Sequence, residues 1–320
     1  MLVVALPTIA QELGTDIAAT SWLITAYLIA MASLQPLGGR FGDRFGRRRV
    51  MLGSLLYFGV VSALAPLAAD IASLTLIRLN QAVSLSLFGP NALALLRDEI
   101  PERGRGAQFG LVSGAAGFGA ALGPPLGGVL AAFDWRWLFL VNVPITLGVL
   151  ALAWRALPRR AAARDRSLDL AGGLWLTALL VVASLLLTSA SETPITPAWL
   201  AMSLAVIAGS ALFMWYEGRQ RDPVLPLRLF RALAFSAATA GVALSNFAMY
   251  LPLLVIPLLL ANEGNAAASG AVLGAYFVAQ IVLAPLGGRL SDGIGRRATV
   301  LVGSVVTAVG LALVAPRAPG

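Results

Sequence analysis

The 320-residue sequence has no cysteine and no histidine, and all 23 of its basic residues are arginine. The first absence excludes disulfides and thiolate metal ligands. The second excludes imidazole ligands and histidine acid–base catalysis. Charge is also scarce, at 12% of residues, against roughly 25% in soluble proteins. The first residues lack the basic segment and cleavage site of a secretory leader, so none is expected. No carboxylate pair falls inside an apolar run. An enzyme is therefore not expected, and no catalytic residue, cofactor or metal site is assigned.

What fills the chain is apolar, at 58% hydrophobic residues. Charge-free runs occupy 17–39, 50–69, 79–96, 106–133, 137–154, 170–191, 193–216, 232–262, 264–288 and 298–316. Each reaches roughly the 17–25 residues that a membrane-spanning helix needs. A spanning segment must satisfy its own backbone, and runs this long read as helices, not barrel strands. The fold class is an all-α polytopic membrane protein.

The arginines set the orientation. With the stretch at 40–49 placed in the cytoplasm and the chain alternating, 20 of them fall inside, at 40–49, 97–105, 155–166, 219–231 and 289–297. Arg136 and Arg317 fall outside, and Arg78 sits in a span. This is the positive-inside asymmetry, and it puts the N-terminus in the cytoplasm. The net charge of +8 is thus a topology signal, and nucleic acid is not expected as a partner. Arginine without lysine, beside abundant alanine, points to a GC-rich bacterial source.

Residues 35–50 carry the most organised polar stretch, with Arg40, Arg44, Arg47, Arg48 and Arg49 around one carboxylate, Asp43. A second copy at 284–297 repeats it at an offset of 249, matching Pro36 to Pro285, Gly39 to Gly288, Arg40 to Arg289, Asp43 to Asp292, Gly46 to Gly295 and Arg47 to Arg296. Topology anchoring accounts for the arginines but not for the glycines, the aspartate or the recurrence. The expected role is a loop-borne cytoplasmic latch, its aspartates pairing with arginine and favouring a nearby helix N-terminus. The latch set is Gly39, Arg40, Asp43, Arg44, Gly46, Arg47, Arg48, Arg289, Asp292 and Arg296.

Other polar residues inside spans mark candidate pathway positions. Arg78 and Gln81 share a helix face; Arg78 is either a functional intramembrane charge or a side chain snorkelling to the interface. Tyr27, Asn91, Asn246 and Gln280 are candidates for lining a substrate site, with helix-to-helix hydrogen bonding as the plainer alternative. The run holding Gly119, Gly123, Pro124, Gly127 and Gly128 combines small residues for close helix contact with a proline kink.

These strings carry a resemblance. Residues 39–48 resemble the motif between the second and third helices of the major facilitator superfamily. Arg78-x-x-Gln81-Ala82 is similar to the family's fourth-helix motif, whose arginine is linked to proton coupling. Gly119-x-x-x-Gly123-Pro124-x-x-Gly127-Gly128 resembles the antiporter motif of its exporters. Residues 135–146 resemble the sixth-helix entry of its fourteen-helix drug:proton antiporter branch. Eight spans separate the latch copies where two six-helix halves require six, which marks the pair at 170–216 as inserted.

The resemblance implies a major facilitator fold with about eleven of fourteen helices, the first partial. Residues 1–157 would form an N-terminal six-helix bundle, 158–231 the inserted pair with cytoplasmic linkers, and 232–320 an incomplete C-terminal bundle. It implies proton-coupled export of amphipathic or cationic compounds by alternating access, from a multi-pass position in the cytoplasmic membrane. The partners are then the bilayer, a small-molecule substrate and protons. Two departures stand out: the sequence opens inside the family's Val-Ala-Leu-Pro stretch, without its preceding aspartate, and three helices are missing after the eleventh. The expectation is a chain truncated at both ends that does not complete a transport cycle alone. A non-transporting remnant or scaffold is the alternative reading. A metabolite or sugar permease is another, against which the Gly–Pro run argues.

Overall fold

The computed structural model describes residues 2–101, 104–158, 169–189, 196–262 and 266–314. Among these residues the chain is helical and has no strand. The longer helices are α1 (Leu2–Glu12), α2 (Ile17–Phe45), α3 (Arg47–Leu64), α4 (Ile71–Glu99), α5 (Arg105–Phe133), α6 (Asn142–Ala156), α7 (Leu170–Ser189), α8 (Pro197–Glu217), α9 (Leu233–Asn262), α10 (Ala266–Ile294) and α11 (Arg296–Val314). A short turn of helix, Trp137–Leu140, precedes α6. The basic linker at 159–168 lies outside the described residues.

Polar side chains start several of these helices by accepting from amides that lack an intrahelical partner. Asp16 accepts from the Ala19 amide at the start of α2. Asp70 accepts from the Ser73 amide at 2.7 Å ahead of α4. Thr196 accepts from Trp199 at 3.1 Å ahead of α8, where Pro197 fills the first helical position, which needs no amide donor. By length and composition α2, α3, α4, α7, α8 and the Trp137–Ala156 segment can each cross a membrane. Helix α5 adds another if its two parts, Arg105–Gly123 and Pro125–Phe133, count as one bent span. The bend falls at Pro124–Pro125, where the ring removes amide donors.

The arginine-rich stretch is not the expected loop. Helix α2 runs on through Gly38, Gly39 and Gly42 to Phe45, and α3 starts at Arg47. Gly46 alone breaks the helix, at φ +95°. The second copy does the same: α10 reaches Ile294, Gly295 has φ +90°, and α11 starts at Arg296. The two glycines stand 249 residues apart, the offset of the sequence repeat. Only glycine takes such a φ without a steric cost. Gly38 and Gly42 stay helical where α4 covers them. A methyl group on Gly38 would run into the Ser86 carbonyl of α4, and one on Gly42 into the Asn91 side chain. Close approach of this kind supplies the packing that burial from water does not supply between helices in lipid.

By internal contacts the chain forms two compact units. The first comprises Met1–Leu96 and Leu126–Arg228. It holds one apolar cluster around Ile9, Leu23, Leu74, Trp135 and Phe139, and another around Met51, Leu52, Leu55 and Leu95. Ser54, Ser62, Gln81 and Ser84 are buried as well. Helix α7 packs on α2, with Gly173 against Leu37 and the Thr177 hydroxyl donating to the Ser33 carbonyl at 3.1 Å. The second unit comprises Arg97–Pro125 and Leu229–Gly320. In it the first part of α5 lies on α10 through glycines: Gly106 against Gly288, Gly110 under the Ala284 carbonyl, and Gly114 on Pro285.

Candidate functional site

Arg78 stands on α4 and points into the first unit. Its Nε donates to the Leu23 carbonyl of α2 at 3.1 Å, and a terminal nitrogen donates to Gln81 Oε1 at 2.9 Å. The guanidinium carbon lies 3.9 Å from the centre of the Tyr27 ring, a cation–π contact. Gln81 passes the chain on, donating from Nε2 to Ser62 Oγ of α3 at 2.8 Å. Three helices thus meet in one polar relay, and three of the sequence candidates (Tyr27, Arg78 and Gln81) come together in it. Among the described residues no carboxylate pairs with Arg78. A positive charge held inward without a counter-ion is an expensive arrangement in a membrane protein.

The latch residues use their charges in several ways. Asp43 accepts from Arg47 one turn on, at 2.9 Å. Arg48 reaches the end of α6, donating to the Leu157 carbonyl at 3.0 Å and the Trp154 carbonyl at 2.7 Å. A cation placed there satisfies end-of-helix carbonyls and complements the helix dipole. Arg44 lies 5.8 Å from the Phe45 ring centre, and Arg289 and Arg296 are exposed. Asp292 caps another helix: its two oxygens accept from the Gly106 and Ala107 amides, both at 2.9 Å. These amides belong to the first turn of α5, where a negative charge is favoured. Glycine at 106 and 288 lets the two backbones approach closely enough for this contact.

The remaining candidates are dispersed. Asn91 is 1% exposed, and its amide donates to the Gly38 carbonyl of α2 at 2.8 Å and to Leu87 of its own helix at 2.7 Å. It therefore faces the latch helix. Gln280 rests against Gly117 of α5. Asn246 is exposed and bonds within its own helix, to the Val242 carbonyl at 2.9 Å. Gly123 and Gly127 are buried, whereas a methyl on Gly119 or Gly128 would meet open space.

The sequence pattern of the Major Facilitator Superfamily matches residues 1–239 and 237–319. The chain belongs to the major facilitator superfamily. It is 31% identical over 318 residues to a multidrug resistance protein B homolog of Mycobacterium tuberculosis, covering 96% of this chain and 58% of that protein. It is 38% identical over 229 residues to a puromycin resistance protein of Streptomyces alboniger, covering 70% of this chain and 45% of the relative. An uncharacterized MFS-type transporter of Mycobacterium tuberculosis shares 34% identity over 279 residues, 85% of this chain and 40% of its own length. The chain spans about half the length of the curated relatives it matches.

As a multi-pass member of this superfamily, the chain also holds polar residues that its sequence did not single out. Ser62 ends the Arg78 relay, yet one serine among many in apolar runs carries no distinguishing signal. Glu12 receives both the Trp135 indole and Arg136, at 2.7 and 2.6 Å, across a separation that no local pattern reveals. Glu217 falls one residue beyond an apolar run and is nevertheless 2% exposed. That position at a run's end was its only available clue.

Proposed function

We propose that this superfamily chain serves the export of amphipathic or cationic small molecules from a bacterial cell, in exchange for protons, by alternating access across the cytoplasmic membrane. The names of two relatives, a multidrug resistance protein homolog and a puromycin resistance protein, support this class of substrate. The single observation that carries the mechanism is Asp292 on the first turn of α5. A carboxylate on free amides is a strong contact that needs no covalent change to break, which suits a latch that opens in each cycle. In this reading Arg78, Gln81 and Ser62 belong to the proton-coupling relay, and Arg78 responds to charge brought near Tyr27. The latch face is cytoplasmic.

The test is accumulation of puromycin and of a cationic dye in bacteria that express the chain and lack their own exporters. The expected result, contrary to the sequence expectation that the chain does not complete a cycle alone, is lower accumulation than in vector controls, restored to the control level by a protonophore. Asp292→Asn, which keeps an acceptor but loses the charge, is expected to weaken export. Accumulation equal to the control, with the chain present in the membrane, overturns the reading and leaves a non-transporting membrane protein.

A further inference from the structure

Helices α3 and α6 pack antiparallel. Gly59 faces Thr146, and nearer one end Met51, Leu52 and Leu55 cluster with Leu150, Ala153 and Leu157. At that end Arg48 ties the pair together, donating to the Trp154 and Leu157 carbonyls at 2.7 and 3.0 Å. Its guanidinium carbon lies 5.2 Å from the centre of the Trp154 ring, which is 57% exposed. These bonds set the first turn of α3 level with the last turn of α6. Arg49 and Arg155, the chain neighbours of Arg48 and Trp154, are both exposed and so stand at the same level.

Each of these two arginines ends an exposed apolar stripe. Leu56 and Val60 continue the Arg49 face of α3, and Leu152 and Ile145 continue the Arg155 face of α6, at spacings that keep residues on one side of a helix. Both elements are long and apolar enough to cross a membrane, which puts the arginines at its edge. Neither helix contains a carboxylate, and Asp43 at the end of α2 is engaged by Arg47. The end of the pair therefore carries surplus positive charge. Its complement is an anion carried on apolar chains. We propose that this end of the α3–α6 pair binds an anionic phospholipid, with Arg49 and Arg155 taking the headgroup charge and the two stripes taking the acyl chains. Arginine near a membrane edge extends its charge to headgroup level, and an exposed tryptophan such as Trp154 settles there too. A second copy of the chain fits this face less well. Inserted the same way and related by a two-fold axis, the patch would meet itself and oppose like charges. The site does not depend on the export reading, because it can be observed in protein that transports nothing.

The experiment is native mass spectrometry of the purified full chain in detergent, titrated with phosphatidylglycerol or with phosphatidylcholine. Phosphatidylglycerol should bind more tightly, and only its binding should weaken as ionic strength rises. Arg49→Gln and Arg155→Gln should each weaken it about fivefold, the scale of one cation near an anionic surface. Phosphatidylcholine binding should stay unchanged, which also shows that the variants are folded. Arg97→Gln should have no such effect, since Asp98 and Glu99 follow that exposed arginine. Glycerol phosphate, an anion without acyl chains, should not displace the lipid at equal concentration. Equal affinity for the two lipids overturns the proposal, as does undiminished phosphatidylglycerol binding in the Arg49→Gln/Arg155→Gln double variant. A loss of the same size in Arg97→Gln, displacement by glycerol phosphate, or a wild-type dimer that carries no lipid also overturns it. Should a variant lose both lipids, the salt dependence of the wild-type chain decides.

Discussion

Trp135 donates its indole N–H to Glu12 at 2.7 Å, joining the end of α1 to the turn that enters α6. The same carboxylate accepts from Arg136 at 2.6 Å, and that guanidinium lies 4.5 Å from the Trp135 ring centre. Trp135 itself is fully buried. The Glu12 hydrogen bond and its negative charge, with Asp134 nearby, hold the Arg136 pKa above its usual value. Arg136 therefore stays charged at every pH of practical use.

Glu12→Ala leaves the buried indole N–H without a partner, at a cost of about 1–3 kcal/mol. Glu12→Gln keeps an acceptor for the indole and loses only the charge. Thermal unfolding of the purified chain, followed by tryptophan fluorescence, should show a clear drop for the alanine variant and a smaller one for glutamine. Equal drops would mean that charge, not the hydrogen bond, dominates.

Asp70 gives a pH-dependent case outside the spans. The Ser73 amide, which donates to Oδ1 at 2.7 Å, and the nearby Ser73 side chain hold the Asp70 carboxyl below the ordinary value of 3.8. A depressed folded-state pKa contributes stability that is present above the unfolded value and lost as pH falls through the folded one. Asp70→Asn should keep the cap at neutral pH and lose that acid-sensitive increment. Unfolding curves for the two proteins should differ in slope only in the acid range near and below 3.8.

The α2–α4 contact predicts two substitutions with different remedies. Gly42→Ala collides with the side chain of Asn91, and Gly38→Ala with the backbone carbonyl of Ser86. Overpacking of this kind costs about 1–3 kcal/mol. Adding Asn91→Ala should recover much of the loss in Gly42→Ala and none of the loss in Gly38→Ala. Yield of monodisperse protein after detergent extraction would report both.

Arg78 should separate stability from activity. Removing a half-buried charge that has no carboxylate partner among the described residues relieves desolvation, which offsets its lost bonds to Leu23 and Gln81. Arg78→Gln is expected to shift the melting temperature little and to abolish protonophore-sensitive export. A melting temperature that falls in step with export would make Arg78 a structural residue.

The membrane class and the repeat were legible because they rest on composition and on spacing within short stretches. Gly46 and Gly295 both adopt a positive φ, and nothing in the sequence set these two apart from the other glycines of the motif. The helical state of residues 38–45 was hidden. Glycine and arginine look like loop chemistry until Ser86 and Asn91 of α4 are seen against them. Asn91 looked like a pathway residue for the same reason, since sequence does not reveal which helix covers a face. Glu217 and Glu12 depend on chain returning from elsewhere, by Leu225 and by Trp135. No window centred on either acid contains that information about burial.

Gly46 is the only residue between α2 and α3, and Gly295 the only one between α10 and α11. A joint of one residue has two free torsions and almost no slack. Each pair of long helices is therefore hinged at a single glycine, and any side chain placed at 46 or 295 would strain the joint of its pair.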